Sequence, residues 1–332
     1  MTKDTPVIGI IVAPGGDMPP GLQQLRAEAD VRLIRTQDEF DATLPVASAF
    51  AVYDFRTPFI RHANFAKAGN LKWLHAASAG VDAILVPGVV ESDFAVTNSR
   101  GVFDAGIAEY VLGLMLLFAK DFHTTLACQR EQRWQHRESL LLRGRHLLVV
   151  GAGSIGTAIG RQVAAAGLTL DAVARDARAD EVFGHIHATS ELPRLLPGAD
   201  FVVISAPLTA ETRGLFDAAM LAHMRPGSWL INIGRGPIVV ESALIEALER
   251  RQLAGAALDV FDEEPLPAGH PFWTMPNVVV SPHMAGDVVG WDEALGNLFV
   301  ENVQRWLRGE ALRNVVDKQR AAAVQDTGGA AS

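Results

Sequence analysis

The chain has 332 residues, of which 49% are apolar and 20% charged, with a formal net charge of −9 at pH 7 and a mean hydropathy of +0.16. That length exceeds what one hydrophobic core usually organises, so two domains are expected, and the apolar share excludes a disordered chain. The acidic balance, without any Lys/Arg-rich run, speaks against a nucleic-acid partner.

Short β-branched runs alternate with stretches of helical period from the start. Strands are predicted over 7–13, 31–34, 50–53, 71–75 and 94–98, with helices over 21–29 and 60–68 between them. The first of these reads as a strand and not as a signal peptide. A long apolar helix over 105–120 is interrupted by Glu109 and falls short of a bilayer span, so no membrane association is expected. Cys128 is the only cysteine, which excludes an internal disulfide and points to a reducing, cytoplasmic setting. A polar, basic and aromatic stretch, 129–145, follows. A second alternating series then runs through 147–151, 168–174, 201–206, 229–233, 256–261 and 278–281. Its strands are nearly continuous apolar runs, as in parallel sheets covered on both faces. An amphipathic helix over 291–308 follows, and the last dozen residues read as a frayed tail. Alternation of this kind implies βαβ units and mostly parallel sheets.

Chemistry enters at Gly151-Ala-Gly153-Ser154-Ile155-Gly156, directly after the apolar strand and directly before a helical pattern. In that position the three glycines serve a tight turn, close approach of the backbone to a pyrophosphate, and close helix–strand packing. The helix N-terminus adds amides and the positive end of its dipole. A ribose-binding acid is normally found where the second strand ends, but Ala174 stands there, followed by Arg175, Asp176 and Arg178. A neutral residue followed by arginines suits a 2′-phosphate, and NADP(H) is therefore expected in preference to NAD(H). The alternative is that both arginines are solvated and Asp176 serves the ribose. His75, His123, His136, His146, His185, His187, His223 and His270 show no ligand spacing with carboxylates or Cys128, so no metal is expected.

Three later segments, 205–214, 224–236 and 257–267, with 277–286, occur in an order that resembles the D-2-hydroxyacid dehydrogenase family. The resemblance runs from about residue 71 to 316. It implies two doubly wound α/β domains: a flavodoxin-like substrate domain (1–99 and 287–318) and a Rossmann dinucleotide-binding domain (100–286), with a cleft between them and a flexible tail (319–332). Matched residue by residue, the catalytic set is Arg235, Glu264 and His283. A histidine can protonate the alkoxide that forms when hydride reaches a 2-oxo acid. A carboxylate beside it favours the imidazolium and fixes the ring, a role given to Glu264 rather than to the adjacent Glu263. Arg235 would grip the substrate carboxylate and polarise its carbonyl. The resemblance also implies that Pro207, Thr212 and Ile233 line the cofactor and that Ala285 lies near the nicotinamide. Asp259 would accept from the carboxamide, unless it merely caps a helix. The backbone amides of Ala79 and Gly80, in a glycine loop after the fourth strand, would bind the substrate carboxylate. In related glyoxylate/hydroxypyruvate reductases a tryptophan near Trp134 reaches the partner subunit, so a homodimer is expected, with plain dimer packing as the alternative for Trp134. The implied reaction is reduction of a small 2-oxo acid by NAD(P)H. Two other readings stay open: a formate dehydrogenase-like enzyme, against which Glu264 argues because that enzyme resembles a Gln there, and a dinucleotide-sensing corepressor.

Overall fold

The computed structural model describes residues 5–54 and 58–322. Most of the expected tail lies outside the described residues. The chain divides into two compact units: residues up to Phe103 together with those from Val289 onward, and Asp104–Val288.

The first unit holds β1 (Val7–Ile11), β2 (Asp30–Ile34), α1 (Gln37–Thr43), β3 (Ala49–Val52), β4 (Trp73–Ala76), α2 (Pro87–Val90) and β5 (Ala95–Thr97). All five strands are parallel, in the order β2-β1-β3-β4-β5. This is the flavodoxin-like order, whose reversal at the middle makes a switch point. β1, β3 and β4 are buried nearly throughout, and successive residues face opposite sides of the sheet. Ile8, Ile10, Ala49, Ala51 and Trp73 belong to one apolar core, whereas Ile11, Phe50, Val52, Leu74 and Val96 belong to another on the opposite face.

The second unit opens with the long helix α3 (Asp104–Ala119) and α4 (Phe122–Arg130). Then come β6 (His146–Val150), α5 (Ser154–Ala165), β7 (Thr169–Ala174), β8 (Arg178–Asp180), β9 (Gly184–Ala188), α6 (Leu192–Leu195), β10 (Phe201–Ile204), α7 (Ala218–Ala222), β11 (Trp229–Asn232), α8 (Glu241–Glu249), β12 (Gly255–Leu258) and β13 (Val278–Val280). The sheet order is β13-β12-β11-β10-β6-β7-β9-β8, parallel except for the β8–β9 hairpin. This is the Rossmann order, with the glycine turn at the end of its central strand. The chain then returns to the first unit through α9 (Trp291–Leu307) and α10 (Lys318–Ala322). Phe299, Val300 and Val303 of α9 complete the core that contains Ile8, Ile10 and Trp73. Gly296 lets this helix approach closely, since a Cβ there would lie 2.1 Å from the Pro20 carbonyl oxygen.

Two expected helices differ. Residues 21–29 form only a 3-10 helix, Leu22–Ala27, and residues 60–68 form turns and a 3-10 segment, Phe65–Lys67. In the second case the Asn64 side chain accepts from the Ala66 amide at 3.2 Å, a local bond that competes with α-helical pairing. The β8–β9 hairpin was not expected. Its strands are short, and β8 carries two charged residues, so neither run shows the apolar signature of the central strands.

Candidate active site

The glycine turn is built by steric necessity at two of its three glycines. Gly151 has φ +106°, and a Cβ there would lie 2.5 Å from the Ala206 nitrogen; one at Gly156 would lie 2.0 Å from the Gly151 carbonyl oxygen. Gly153 is different. A Cβ there would meet nothing within 4 Å, so no protein neighbour demands glycine at this position. Gly153 is also the N-cap of α5, and no side chain caps the helix. A bare, uncapped helix start beside a glycine that leaves space open is what a pyrophosphate requires. Ser154 donates to Asp104 at 3.4 Å, and Ile155 is half-buried behind the turn.

At the end of β7 the two arginines separate in role. Arg175 is half-exposed and stands 4.0 Å from the more exposed Asp176 carboxylate. Arg178 lies on the turn itself, donating to the Ala152 carbonyl at 2.9 Å and to the Asp176 carbonyl at 3.3 Å. After β10, the Pro207 carbonyl accepts from the Thr212 hydroxyl at 2.7 Å. The Thr209 and Thr212 hydroxyls each accept from the other's amide, which closes this turn on itself.

Arg235, Glu264 and His283 come from three loops that follow β11, β12 and β13. Asn232 shapes the first: its side chain accepts from the Gly234 amide at 3.1 Å and donates to the Arg235 carbonyl at 3.0 Å. Ile233 is buried beside it, and the Arg235 guanidinium donates to the Gly234 carbonyl at 2.8 Å. Gly236 ties this loop to the next, because a Cβ there would lie 2.0 Å from the Phe261 carbonyl carbon. In the second loop one Glu264 oxygen accepts from the Phe261 amide at 3.0 Å, and the other meets His283 Nδ1 at 2.8 Å. Burial pushes the Glu264 carboxyl up, but the His283 and Phe261 hydrogen bonds and the charges of His283 and Arg235 outweigh it. The net result is a carboxyl below its ordinary range. The expected triad is therefore assembled within the second unit, with Nδ1 of the histidine bound to the carboxylate and Nε2 on the opposite edge of the ring.

Asp259 sits at the centre of the third loop. It is 3% exposed and accepts from the Ser281 hydroxyl at 2.6 Å, the Met284 amide at 3.0 Å and the Ala285 amide at 2.9 Å. Its carboxylate thus clasps both sides of His283. Asp287, nearby, is raised by burial and by the Asp259 charge against the pull of His283. This clasp by Asp259 was not foreseen.

In the first unit, the loop after β4 has its carbonyls occupied. Ser78 donates to the Gly80 carbonyl and Asn98 to the Ala79 carbonyl, each at 2.6 Å. The Tyr53 hydroxyl, after β3, is buried with no hydrogen-bond partner among the described residues, and burial holds it well above its ordinary value. Among the described residues, no group of three His, Cys, Asp or Glu side chains could hold a metal ion, and no single helix is long and apolar enough to cross a membrane.

A Rossmann unit whose glycine turn fits a dinucleotide, with a carboxylate-bound histidine, defines a nicotinamide-dependent oxidoreductase. Residues 112–285 match the NAD binding domain of the D-isomer specific 2-hydroxyacid dehydrogenases. Glyoxylate/hydroxypyruvate reductase A of Serratia proteamaculans is 30% identical over 306 residues, covering 90% of this chain and 93% of that protein. A D-isomer specific 2-hydroxyacid dehydrogenase of Xanthobacter autotrophicus, solved with NADPH and MES, superposes with a TM-score of 0.83 at 33% identity, covering 96% of this chain and 99% of that one. An NADPH-dependent glyoxylate/hydroxypyruvate reductase of Sinorhizobium meliloti, solved with NADP and sulfate, gives 0.81 at 27% identity, covering 96% and 100%. The chain belongs to the D-isomer specific 2-hydroxyacid dehydrogenases, and it is an NAD(P)-dependent 2-hydroxyacid dehydrogenase.

Proposed function

We propose that this enzyme reduces a small 2-oxo acid of the glyoxylate or hydroxypyruvate type to the D-2-hydroxy acid, with NADPH preferred over NADH. The observation that carries the reading is the 2.8 Å contact of His283 Nδ1 with Glu264, itself anchored on the Phe261 amide. The bound nicotinamide supplies the hydride to the carbonyl carbon. As that carbon takes the electron pair, the carbonyl π pair moves to oxygen, and His283 delivers the Nε2 proton there. Glu264, bound at Nδ1, steadies the positively charged ring before transfer and holds its plane. Arg235 binds the substrate carboxylate with its planar fork. The amides of Ala79 and Gly80 are assigned to substrate binding by the family resemblance.

Gly151, Gly153, Ser154, Ile155 and Gly156 are assigned to the pyrophosphate, Pro207, Thr212 and Ile233 to the cofactor wall, and Asp259 and Ala285 to the nicotinamide end. Arg175 and Arg178 are assigned to the 2′-phosphate, with Arg178 foremost because it already lies on the turn. A homodimer is assigned to α4 and the stretch after it, where Trp134 is fully exposed and Leu141 is 69% exposed. The test is turnover of a panel of 2-oxo acids with NADH and with NADPH. Reduction of glyoxylate or hydroxypyruvate, faster with NADPH, is expected; no turnover with any 2-oxo acid overturns the reading.

A further inference from the structure

The loop that carries Glu264 is tied at two points to the segment that carries Arg235. At the first, Gly236 lies so close to Phe261 that a Cβ would come within 2.0 Å of the Phe261 carbonyl carbon. Further along the same segment Glu241 opens α8, and its Oε1 accepts from the Asp262 amide at 3.0 Å. The amide just before it, that of Phe261, donates to Glu264 Oε1 at 3.0 Å. Two consecutive amides are thus held by two carboxylates, and the second of these faces His283.

His270 fixes Glu241 from behind. It caps the 3-10 segment Pro271–Trp273, where its Nδ1 accepts from the Phe272 amide at 3.3 Å. An amide can only donate, so Nδ1 is bare and the ring proton sits on Nε2. Nε2 stands 3.3 Å from Glu241 Oε2, with the two side chains 17% and 20% exposed. Each oxygen of Glu241 therefore has its own donor, one from the backbone and one from the ring. Phe272 is buried in the core of the second unit, so the histidine rests on a firm base.

We propose that Glu241 is a positioning residue of this enzyme: backed by His270, it pins the Asp262 amide and so holds the Phe261–Glu264 turn that aims Glu264 at His283. The kinetic consequence rests on the reductase reading, but the order of the turn and the state of Glu264 can be measured without turnover. A glutamate at the first position of a helix also stabilises that helix by its charge alone. Glu241→Gln separates the two roles, because the side-chain carbonyl still accepts from Asp262 while the charge is gone.

The experiment compares the whole enzyme with Glu241→Gln, Glu241→Ala, His270→Ala and the double alanine variant. In Glu241→Ala, exchange of the Phe261 amide, which Glu241 does not touch, should quicken about 3–10-fold, the size of one net hydrogen bond. Protection in β6 and β12 should stay put. Burial raises the Glu264 carboxyl, and the His283 and Phe261 bonds bring it below its ordinary range. With those bonds loosened it should titrate higher by carbon-13 NMR. kcat for glyoxylate should fall by about the same factor as exchange rises, with the NADPH Kd within about two-fold of wild type. Glu241→Gln should recover most of these losses. His270→Ala should lose less than Glu241→Ala, and the double variant should be no worse, because the histidine acts through the glutamate. An unmoved Phe261 amide or Glu264 titration, a Gln variant as poor as the Ala one, or loosening spread evenly through the sheet would each overturn the proposal. If the wild type reduces no 2-oxo acid at all, the reductase reading fails, and the exchange and titration still decide the role of Glu241.

Discussion

His283 is locked twice, once at its backbone and once at its ring. The left-handed φ of 55° aims the side chain, and Glu264 then takes Nδ1, which turns Nε2 away from the carboxylate. His283→Ala should lower turnover roughly 10²–10⁴-fold while leaving NADPH affinity near wild type, since general acid catalysis is worth about that factor. Fluorescence titration and steady-state rates measure the two quantities; retention of more than about a tenth of kcat would remove His283 from its role. Glu264→Gln should be milder than His283→Ala and clearly worse than Glu263→Gln, because Glu263 is exposed whereas Glu264 bonds both His283 and the Phe261 amide. Arg235→Lys keeps the charge but loses the planar two-point contact. The loss of kcat/KM should be uniform across 2-oxo acids, and a loss confined to one substrate would assign Arg235 to the variable side chain instead.

At the scale of elements, the edge formed by β7, β8 and β9 carries the residues assigned to the choice between NADPH and NADH. Arg178 spans from this edge to the glycine turn, whereas Arg175 stands beside Asp176. One charge-assisted arginine–phosphate contact is worth roughly 1.5–3 kcal/mol, about 10–100-fold in affinity. Arg178→Ala should therefore lower the NADPH/NADH ratio of kcat/KM by about that factor, and Arg175→Ala by less. A ratio left unmoved in both variants would return the ribose to Asp176. The same edge shows what sequence can and cannot reveal. The central strands were legible because burial on both faces makes them continuous apolar runs. The glycine turn was legible because its chemistry forces glycines at fixed spacing between a strand and a helix. Glu264 and His283 were named only through the family resemblance, at the positions of its motifs, and the structure sets them 2.8 Å apart. The β8–β9 hairpin was not legible, because an edge strand needs no apolar run. Leu22–Ala27 and Phe65–Lys67 have helical composition yet are only 3-10 turns, and at the second the bond of Asn64 to the Ala66 amide competes with helical pairing.

Over the molecule as a whole, the first unit carries its own acid sensitivity. His75 of β4 is fully buried against Trp73 and Phe299, and burial lowers its pKa to about 3. Ser99 donates to the Ala76 carbonyl, so toward His75 its oxygen accepts from Nε2–H. Nδ1 is then left to accept from Thr97. The neutral ring is thus fully satisfied. The unfolded chain takes up this proton near pH 6.5, the folded one only near pH 3, so between those values unfolding binds a proton and stability falls as pH drops. From about pH 7 to pH 5 the loss is about 2 kcal/mol by this linkage. Protection factors of the β4 amides should fall accordingly in the wild type and stay flatter in His75→Gln; equal slopes would clear His75. In the second unit, Phe122, Leu126, Leu140 and Leu141 are exposed together with Trp134. If this surface joins two copies, Leu126→Glu with Leu141→Glu should halve the sedimenting mass, and an unchanged mass would place the interface elsewhere.

The return of α9 to the first unit sets an order of events during synthesis. Phe299, Val300 and Val303 fill the core formed by Ile8, Ile10 and Trp73, yet they leave the ribosome only after the entire second unit has been made. At translation speeds of about 5–20 residues per second, the intervening stretch takes roughly 10–40 s. For that time the nascent amino-terminal sheet presents an uncovered apolar face, while the Asp104–Val288 segment already holds all eight strands of its own sheet. Stalled nascent chains ending before Trp291 should therefore yield a protease-resistant second unit and a sensitive first one. Chains arrested far enough beyond Leu307 to release α9 should protect both.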